Sequence, residues 1–278
     1  MQATRMAARA AVMVAVVGLA CGTASGQTFD LENVAAARGI DSSLYTSAPG
    51  MIAGIAAADY DGDGHVDFFV PNAEGMPDLM YVNNGDGSFT EAAADLGISG
   101  GAGPDKVRSR VALWLDYDGD RRLDLMVLGD SFFEDMTDIK EDWAQPRLFR
   151  QLPDGTFENV TEATNLHLLD MLTDHRAFAP GSPATTLVRH FSSVSAGDLN
   201  GDGYLDVMIG LWQALGENDP DEIGARLLLN QPDGSGGRVF EEVTIDVLAP
   251  GVAEPGVDNF GSFRQIVLHD FTHDGLLD

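Results

Sequence analysis

The stretch Asp59-Tyr60-Asp61-Gly62-Asp63-Gly64-His65-Val66-Asp67 decides the fold, because it recurs. Asp116-Tyr117-Asp118-Gly119-Asp120-Arg121-Arg122-Leu123-Asp124 aligns with it without a gap. So do Asp198-Leu199-Asn200-Gly201-Asp202-Gly203-Tyr204-Leu205-Asp206 and Asp270-Phe271-Thr272-His273-Asp274-Gly275-Leu276-Leu277-Asp278. The copies begin 57, 82 and 72 residues apart, and self-similarity on this scale marks a repeat architecture. Apolar residues precede each copy (55–58, 111–115, 194–196, 266–268). Phe68-Phe69-Val70, Leu125-Met126-Val127 and Val207-Met208-Ile209 follow the first three. Two short apolar runs around a Gly/Asp loop predict a β-hairpin.

A second phrase recurs downstream of each hairpin. Leu79 to Asn83 leads into Asn84-Gly85-Asp86-Gly87 and Phe89; Leu148 to Arg150 leads into Pro153-Asp154-Gly155 and Phe157; Leu227 to Asn230 leads into Pro232-Asp233-Gly234 and Phe240. Asp-Gly at these points is tight-turn chemistry between strands. Each unit thus reads as strand, Asp loop, strand, strand, Gly turn, strand, and four-stranded units repeated radially are propeller blades. The predicted fold is an all-β propeller of antiparallel blades. Phe89, Phe157 and Phe240 share one repeat position and are expected in the core between blades, and Trp114 and Trp212 in packing at blade strands. Residues 131–145 and 166–190 are extra length, expected as loops or short helices inserted on the scaffold.

The Asp loops carry the chemistry. Calcium takes six to eight oxygens, and carboxylates at alternate positions of a tight loop converge on one point. The first loop, 59–67, offers Asp59, Asp61, Asp63 and Asp67 with the backbone carbonyl of His65; the second, 116–124, offers Asp116, Asp118, Asp120 and Asp124 with that of Arg122. The third, 198–206, offers Asp198, Asn200, Asp202 and Asp206 with the carbonyl of Tyr204; the fourth, 270–278, offers Asp270, Thr272, Asp274 and Asp278. Four calcium sites are therefore expected. Two carboxylates about 5 Å apart repel by about 3 kcal/mol at an effective dielectric near 20, so a cation is wanted in each. An EF-hand would need a carboxylate at the twelfth position of the loop, where this chain has Val70, Val127 and Ile209, all within apolar runs.

The pattern strand, D-x-D/N-G-D-G-x-x-D, strand resembles FG-GAP and VCBS repeats, the calcium-bearing blades of integrin α-chain propellers and of many exported bacterial proteins. With L-Y-x-N-x-G-D-G-x-F and F-x-x-V-T beside it, the chain looks most like the cartilage acidic protein and ASPIC/UnbV group, from about residue 29 onward. That resemblance implies a propeller and calcium but no particular partner. The Gly-Ala-Pro half of the integrin pattern is absent, and Arg121 stands where the other loops have their second glycine.

Composition narrows the function. The chain has 278 residues with 44 acidic and 16 basic side chains, a net charge of −28 that disfavours nucleic acid and anionic lipid. Arg5 and Arg9 precede an apolar run at 10–20 that is too short to span a membrane, and Ala24-Ser25-Gly26 suits signal cleavage. Residues 1–26 therefore read as a signal peptide and 27–278 as propeller repeats. The chain is expected to be secreted or periplasmic, with a lipid anchor through Cys21 as the alternative. Cys21 is the sole cysteine, so no intrachain disulfide forms. The histidines at 65, 167, 175, 190, 269 and 273 show no H-x-x-x-H spacing, and Gly129-Asp130-Ser131 has no placed histidine partner. The expected function is a non-catalytic scaffold for adhesion to an extracellular protein or glycan. The alternative is a polysaccharide-active lyase or hydrolase on a calcium propeller, for which Lys140, Arg147, Arg176 and Arg189 are too scattered to form a substrate groove. Leu31 to Val34 matches the outermost strand at Phe157 to Val160, and the sequence stops on the last ligand of the fourth loop, so a longer propeller is expected. Intact-mass analysis of the exported protein should give an N-terminus at Gln27; a retained Met1 would contradict export.

Overall fold

The computed structural model describes residues 32–41, 43–44, 54–72, 76–100, 109–129, 146–166, 173–174, 187–188, 191–211, 225–243, 265–268 and 270. Three four-stranded antiparallel sheets dominate. The first is β1 (Ala56–Ala58), β2 (Asp67–Val70), β3 (Leu79–Asn83) and β4 (Phe89–Glu91), followed by one short helix, α1 (Ala93–Leu96). The second is β5 (Ser109–Leu115), β6 (Asp124–Gly129), β7 (Arg147–Gln151) and β8 (Phe157–Asn159). After a two-residue pair, β9 (Thr173–Asp174) with β10 (Leu187–Val188), comes the third: β11 (Phe191–Gly197), β12 (Asp206–Leu211), β13 (Ala225–Pro232) and β14 (Arg238–Glu242). Within every sheet the strands lie in chain order, so each is a meander built from the two hairpins read in the sequence. These are propeller blades.

The blades stack face to face, and β6 shows the consequence. A sheet with one wet face buries alternate residues, yet all six residues of β6 are buried. Leu125 and Val127 enter a cluster with Phe69, Met80 and Ile98 of the first blade; Met126 and Leu128 enter one with Phe191, Val207 and Ile209 of the third. Alternation survives as a choice between neighbours. Phe157 and Phe240 occupy these two clusters between blades, as their shared repeat position predicts, whereas Phe89 is half-buried against the far face of the first blade. Trp114 stacks near Tyr60 at 6.0 Å between ring centroids and donates from Nε1 to the Ala56 carbonyl, joining the inner strands of two blades.

Polar groups also cross between blades. The Gln151 side-chain amide donates to the Tyr60 carbonyl at 3.0 Å, and that of Asn230 to the Tyr117 carbonyl at 2.7 Å. In both cases the third-strand residue opposite the fourth strand's phenylalanine grips the Asp loop of the blade before it. At the other end of the strands, Arg147 pairs with buried Asp78 at 3.1 Å and also donates to Ser109, while the Asn72 N–H donates to Asp78 at 2.7 Å. A buried ion pair is tolerated when its remaining lone pairs are satisfied in this way.

Two expectations differ from the structure. Glu32 to Val34 form no strand among the described residues, although Asn33 Oδ1 accepts the Ala35 N–H at 3.1 Å just as Asn159 Oδ1, at the end of β8, accepts the Thr161 N–H at 3.0 Å; a 3₁₀ turn follows at Ala36–Arg38. Ile40, just beyond, covers the far face of the first blade with Val70, Leu79 and Tyr81. Within 166–190 the described residues include a small antiparallel pair, which the reading as loops or short helices did not include. Residues 131–145, Trp212, the signal segment and Phe271 to Asp278 lie outside the described residues. Leu128→Ala, which opens the core between the second and third blades, should cost about 2–5 kcal/mol in urea unfolding. A loss under 1 kcal/mol would show that the blades do not pack as described.

Candidate metal centre

Each Asp loop is the short connection between a blade's first two strands, and its backbone is fixed by its own carboxylates. In the second loop the first aspartate, Asp116, accepts N–H groups from Gly119 and Asp120 on Oδ1 and from Arg121 on Oδ2, at 2.8–3.0 Å. Asp198 does the same with Gly201, Asp202 and Gly203. The second ligand position receives the N–H two residues on: Asp63 to Asp61, Asp120 to Asp118, Asp202 to Asn200. The third likewise receives the N–H groups of His65, Arg122 and Tyr204 on Asp63, Asp120 and Asp202. Short acidic side chains closing Asx-type turns explain why this spacing tolerates little else.

Arg121 tests the loop's tolerance. Gly64 and Gly203 hold φ of 89° and 88°, and Arg121 at the same place holds φ 70°. An L-residue there costs about 1 kcal/mol, yet the Arg121 N–H still reaches Asp116 Oδ2 at 2.9 Å, as the Gly64 N–H reaches Asp59 Oδ2 at 2.9 Å. A Cβ at Gly64 or Gly203 would meet nothing within 4 Å, so side-chain volume is no obstacle. The second loop keeps its shape.

The last aspartate of each loop behaves differently from the others. Asp67, Asp124 and Asp206 are buried to 1% exposure or less. One oxygen accepts from the loop: the N–H of Tyr60, Tyr117 or Leu199, at 3.3, 3.1 and 2.8 Å. The other accepts from the end of the third strand: the N–H of Asn83, Gln151 or Asn230, at 2.7, 2.8 and 2.8 Å. This bracket was not legible from a ligand reading, though an amide side chain at the same third-strand position in all three units, opposite Phe89, Phe157 and Phe240, was its visible signal. Val70, Val127 and Ile209, the twelfth positions, are buried in β2, β6 and β12.

The structure brings some of the predicted ligands close together. Asp59, Asp61 and Asp67 place oxygens within 4.8 Å of one another, as do Asp116, Asp118 and Asp120. Among the described residues the third loop gathers no such trio of acids, since Asn200 replaces one of them. Asp59 Oδ1 is buried and accepts no hydrogen bond among the described residues, whereas the matching oxygens of Asp116 and Asp198 each accept two. A buried, unpartnered carboxylate oxygen beside two other carboxylates fits a hard cation. Of the fourth loop only Asp270 is described, so Thr272, Asp274 and Asp278 lie outside the described residues. His65 is exposed, as a turn residue should be.

Repeated four-stranded blades, each with an Asp-rich hairpin loop at the same corner, define a β-propeller-type repeat protein. The chain belongs to the FG-GAP-like repeat family, whose model matches residues 59–127 and again 116–209. A search of curated proteins found no match.

Electrostatics gives the site a pH dependence. Burial pushes the Asp124 carboxyl up to about 7 against the lowering effect of the Gln151 and Tyr117 N–H groups, with the charges of Asp118 and Asp120 adding to the rise. Asp67 and Asp118 are raised, also chiefly by burial. Between the ordinary carboxyl range and pH 7 the folded chain thus holds a proton on Asp124 that the unfolded chain releases. Metal-free stability should therefore fall as pH rises through that window. Urea unfolding in chelator from pH 4.5 to 7.5 checks this. Asp124→Asn turns an amide NH₂ toward one of the two backbone N–H groups, so it should lose about 1–3 kcal/mol and flatten the slope. A slope as steep in the variant as in the starting protein would place the titrating group elsewhere.

Proposed function

We propose that the protein is an exported, calcium-loaded propeller scaffold that binds an extracellular protein or glycan without catalysing its conversion. The observation that carries the calcium part is the buried, unpartnered Asp59 Oδ1 beside Asp61 and Asp67. Calcium bound there would neutralise converging carboxylates and cross-link a loop that otherwise repels itself. Asp59, Asp61, Asp63 and Asp67 would hold it in the first loop, with the carbonyl of His65. Asp116, Asp118, Asp120 and Asp124 would hold it in the second, and Asp198, Asn200, Asp202 and Asp206 in the third, with the carbonyls of Arg122 and Tyr204. Within the family, the phrase at 80–89, which follows L-Y-x-N-x-G-D-G-x-F with Met80 in place of the leucine, supports a place near the ASPIC/UnbV group.

Connection lengths support a binding role. At the Asp-loop end every blade has the same two spans: 59–66, 116–123 and 198–205 between the first two strands, and 84–88, 152–156 and 233–237 between the last two. At the opposite end the spans differ from blade to blade, at 71–78, 130–146 and 212–224 between the second and third strands. Variation confined to one end of a rigid repeat is how such scaffolds distinguish partners. Among the described residues no helix is long and apolar enough to cross a membrane.

Metal that binds only the folded state adds about 2.7 kcal/mol per site at a hundredfold excess over its dissociation constant. Thermal melts in calcium should therefore lie several degrees above those in chelator, and Asp61→Ala should lose part of the difference. Protein and glycan arrays probed with the full chain should give binding in calcium that chelator removes. Superimposable melts would contradict the calcium reading, and turnover of an arrayed polysaccharide would contradict the non-catalytic one.

A further inference from the structure

Two arginines from unrelated places in the sequence arrive at the same point of two loops. Arg122, inside the second loop, pairs with Asp120 Oδ2, and its Nε donates to the Gln151 carbonyl at 3.0 Å. Arg238, on β14, pairs with Asp202 Oδ2 at 3.3 Å in the third loop; its Nη2 donates to the Asn230 carbonyl and its Nε to Asn230 Oδ1 at 2.9 Å. Asp120 and Asp202 are the same loop position, and Gln151 and Asn230 are the same strand end. Arg238 is further fixed over the Tyr204 ring, 3.6 Å from its centroid. The first loop is built otherwise. Its residue at the place of Arg122 is His65, and among the described residues no cationic side chain pairs with Asp59, Asp61 or Asp63. It is also the loop whose buried Asp59 Oδ1 lacks a partner.

We infer that Arg122 and Arg238 are resident counter-cations that weaken calcium binding in the second and third loops, leaving the first loop as the high-affinity site. This rests on the calcium reading proposed above. A guanidinium on the third-position carboxylate occupies one of its oxygens and repels a divalent ion a few ångströms away. At the effective dielectric near a protein surface that repulsion is worth at least about tenfold in affinity. The arrangement also does in part what calcium would do, since a fixed positive charge already ties the loop to the third strand. Loops two and three are thus expected to hold their shape at calcium concentrations that leave them empty, whereas the first loop depends on the ion.

The test is calorimetric titration of the calcium-stripped full chain with calcium alone, in an Asp274→Asn background that disables the fourth loop. The starting protein should show one tight site, abolished by Asp61→Asn, and sites at least about tenfold weaker. Arg238→Gln should tighten one weak site by about tenfold, while Arg238→Lys, which keeps the charge, should not. His65→Arg installs an arginine at the exposed equivalent of Arg122 and should weaken the tight site by about tenfold, so the inference stays testable should the Arg238 variants fail to fold. Equal affinities throughout, or an Arg238→Gln variant that binds no more tightly, would overturn the inference while leaving the calcium reading intact. No calcium heat in any of the proteins would overturn both.

Discussion

The carboxylates of Asp67, Asp124 and Asp206 lie where three pieces of each blade meet: the Asp loop, the start of the second strand and the end of the third. Removing a carboxylate from water costs several kcal/mol, and the two N–H groups that each one accepts offset part of that cost, at about 1.5–3 kcal/mol per bond. An aspartate is the side chain short enough to face both donors at once. Once it is in place, the loop must turn back over it, which brings the other acidic positions together. The acid cluster is a consequence of the corner as much as a design for metal. The same corner presents the Tyr60 and Tyr117 carbonyls to the amides of Gln151 and Asn230, so the geometry of one blade's loop is read by the next blade.

Much of this was legible in the sequence because the repeat is strict where the backbone is constrained. The two hairpins per blade, the turn positions and the buried phenylalanines follow from in-register phrases whose residue types allow few other conformations. The failures have a common physical cause. Glu32 to Val34 resembles an outer strand by composition and Asn33 makes the same local bond as Asn159 does in β8, but a segment pairs only where an open strand edge lies beside it. The role of Arg238 was equally hidden. Its reach to Asp202 spans 36 residues and a turn, and no spacing rule connects a residue after a Gly-rich turn with a ligand in a different hairpin. Arg121 shows the converse: it looked like a break in the loop pattern, and the loop absorbs it with a left-handed backbone and the same hydrogen bond.

The loops also explain how one corner can be stabilised in different ways across a single chain. In the first blade the carboxylates converge with no cationic side chain paired to them among the described residues. In the second and third an arginine ties the same aspartate to the same strand end. A chain carrying −28 gains from every such cation, whether it comes from solution or from its own side chains. The apolar faces between blades then fix the stack, with Leu125 and Val127 turned to one neighbour and Met126 and Leu128 to the other.

Amide hydrogen exchange of the full chain, followed in calcium and in chelator, examines the corner most directly. The N–H groups of Tyr60 and Asn83, which the buried Asp67 holds, should be slow to exchange in calcium and accelerate sharply in chelator. Those of Leu199 and Asn230 around Asp206 should change little, because Arg238 remains in place, and the strand amides of Met126 and Leu148 should be unaffected. Tyr60 and Asn83 amides that exchange at the same rate in both conditions would contradict the claim that the first corner is organised around a bound cation.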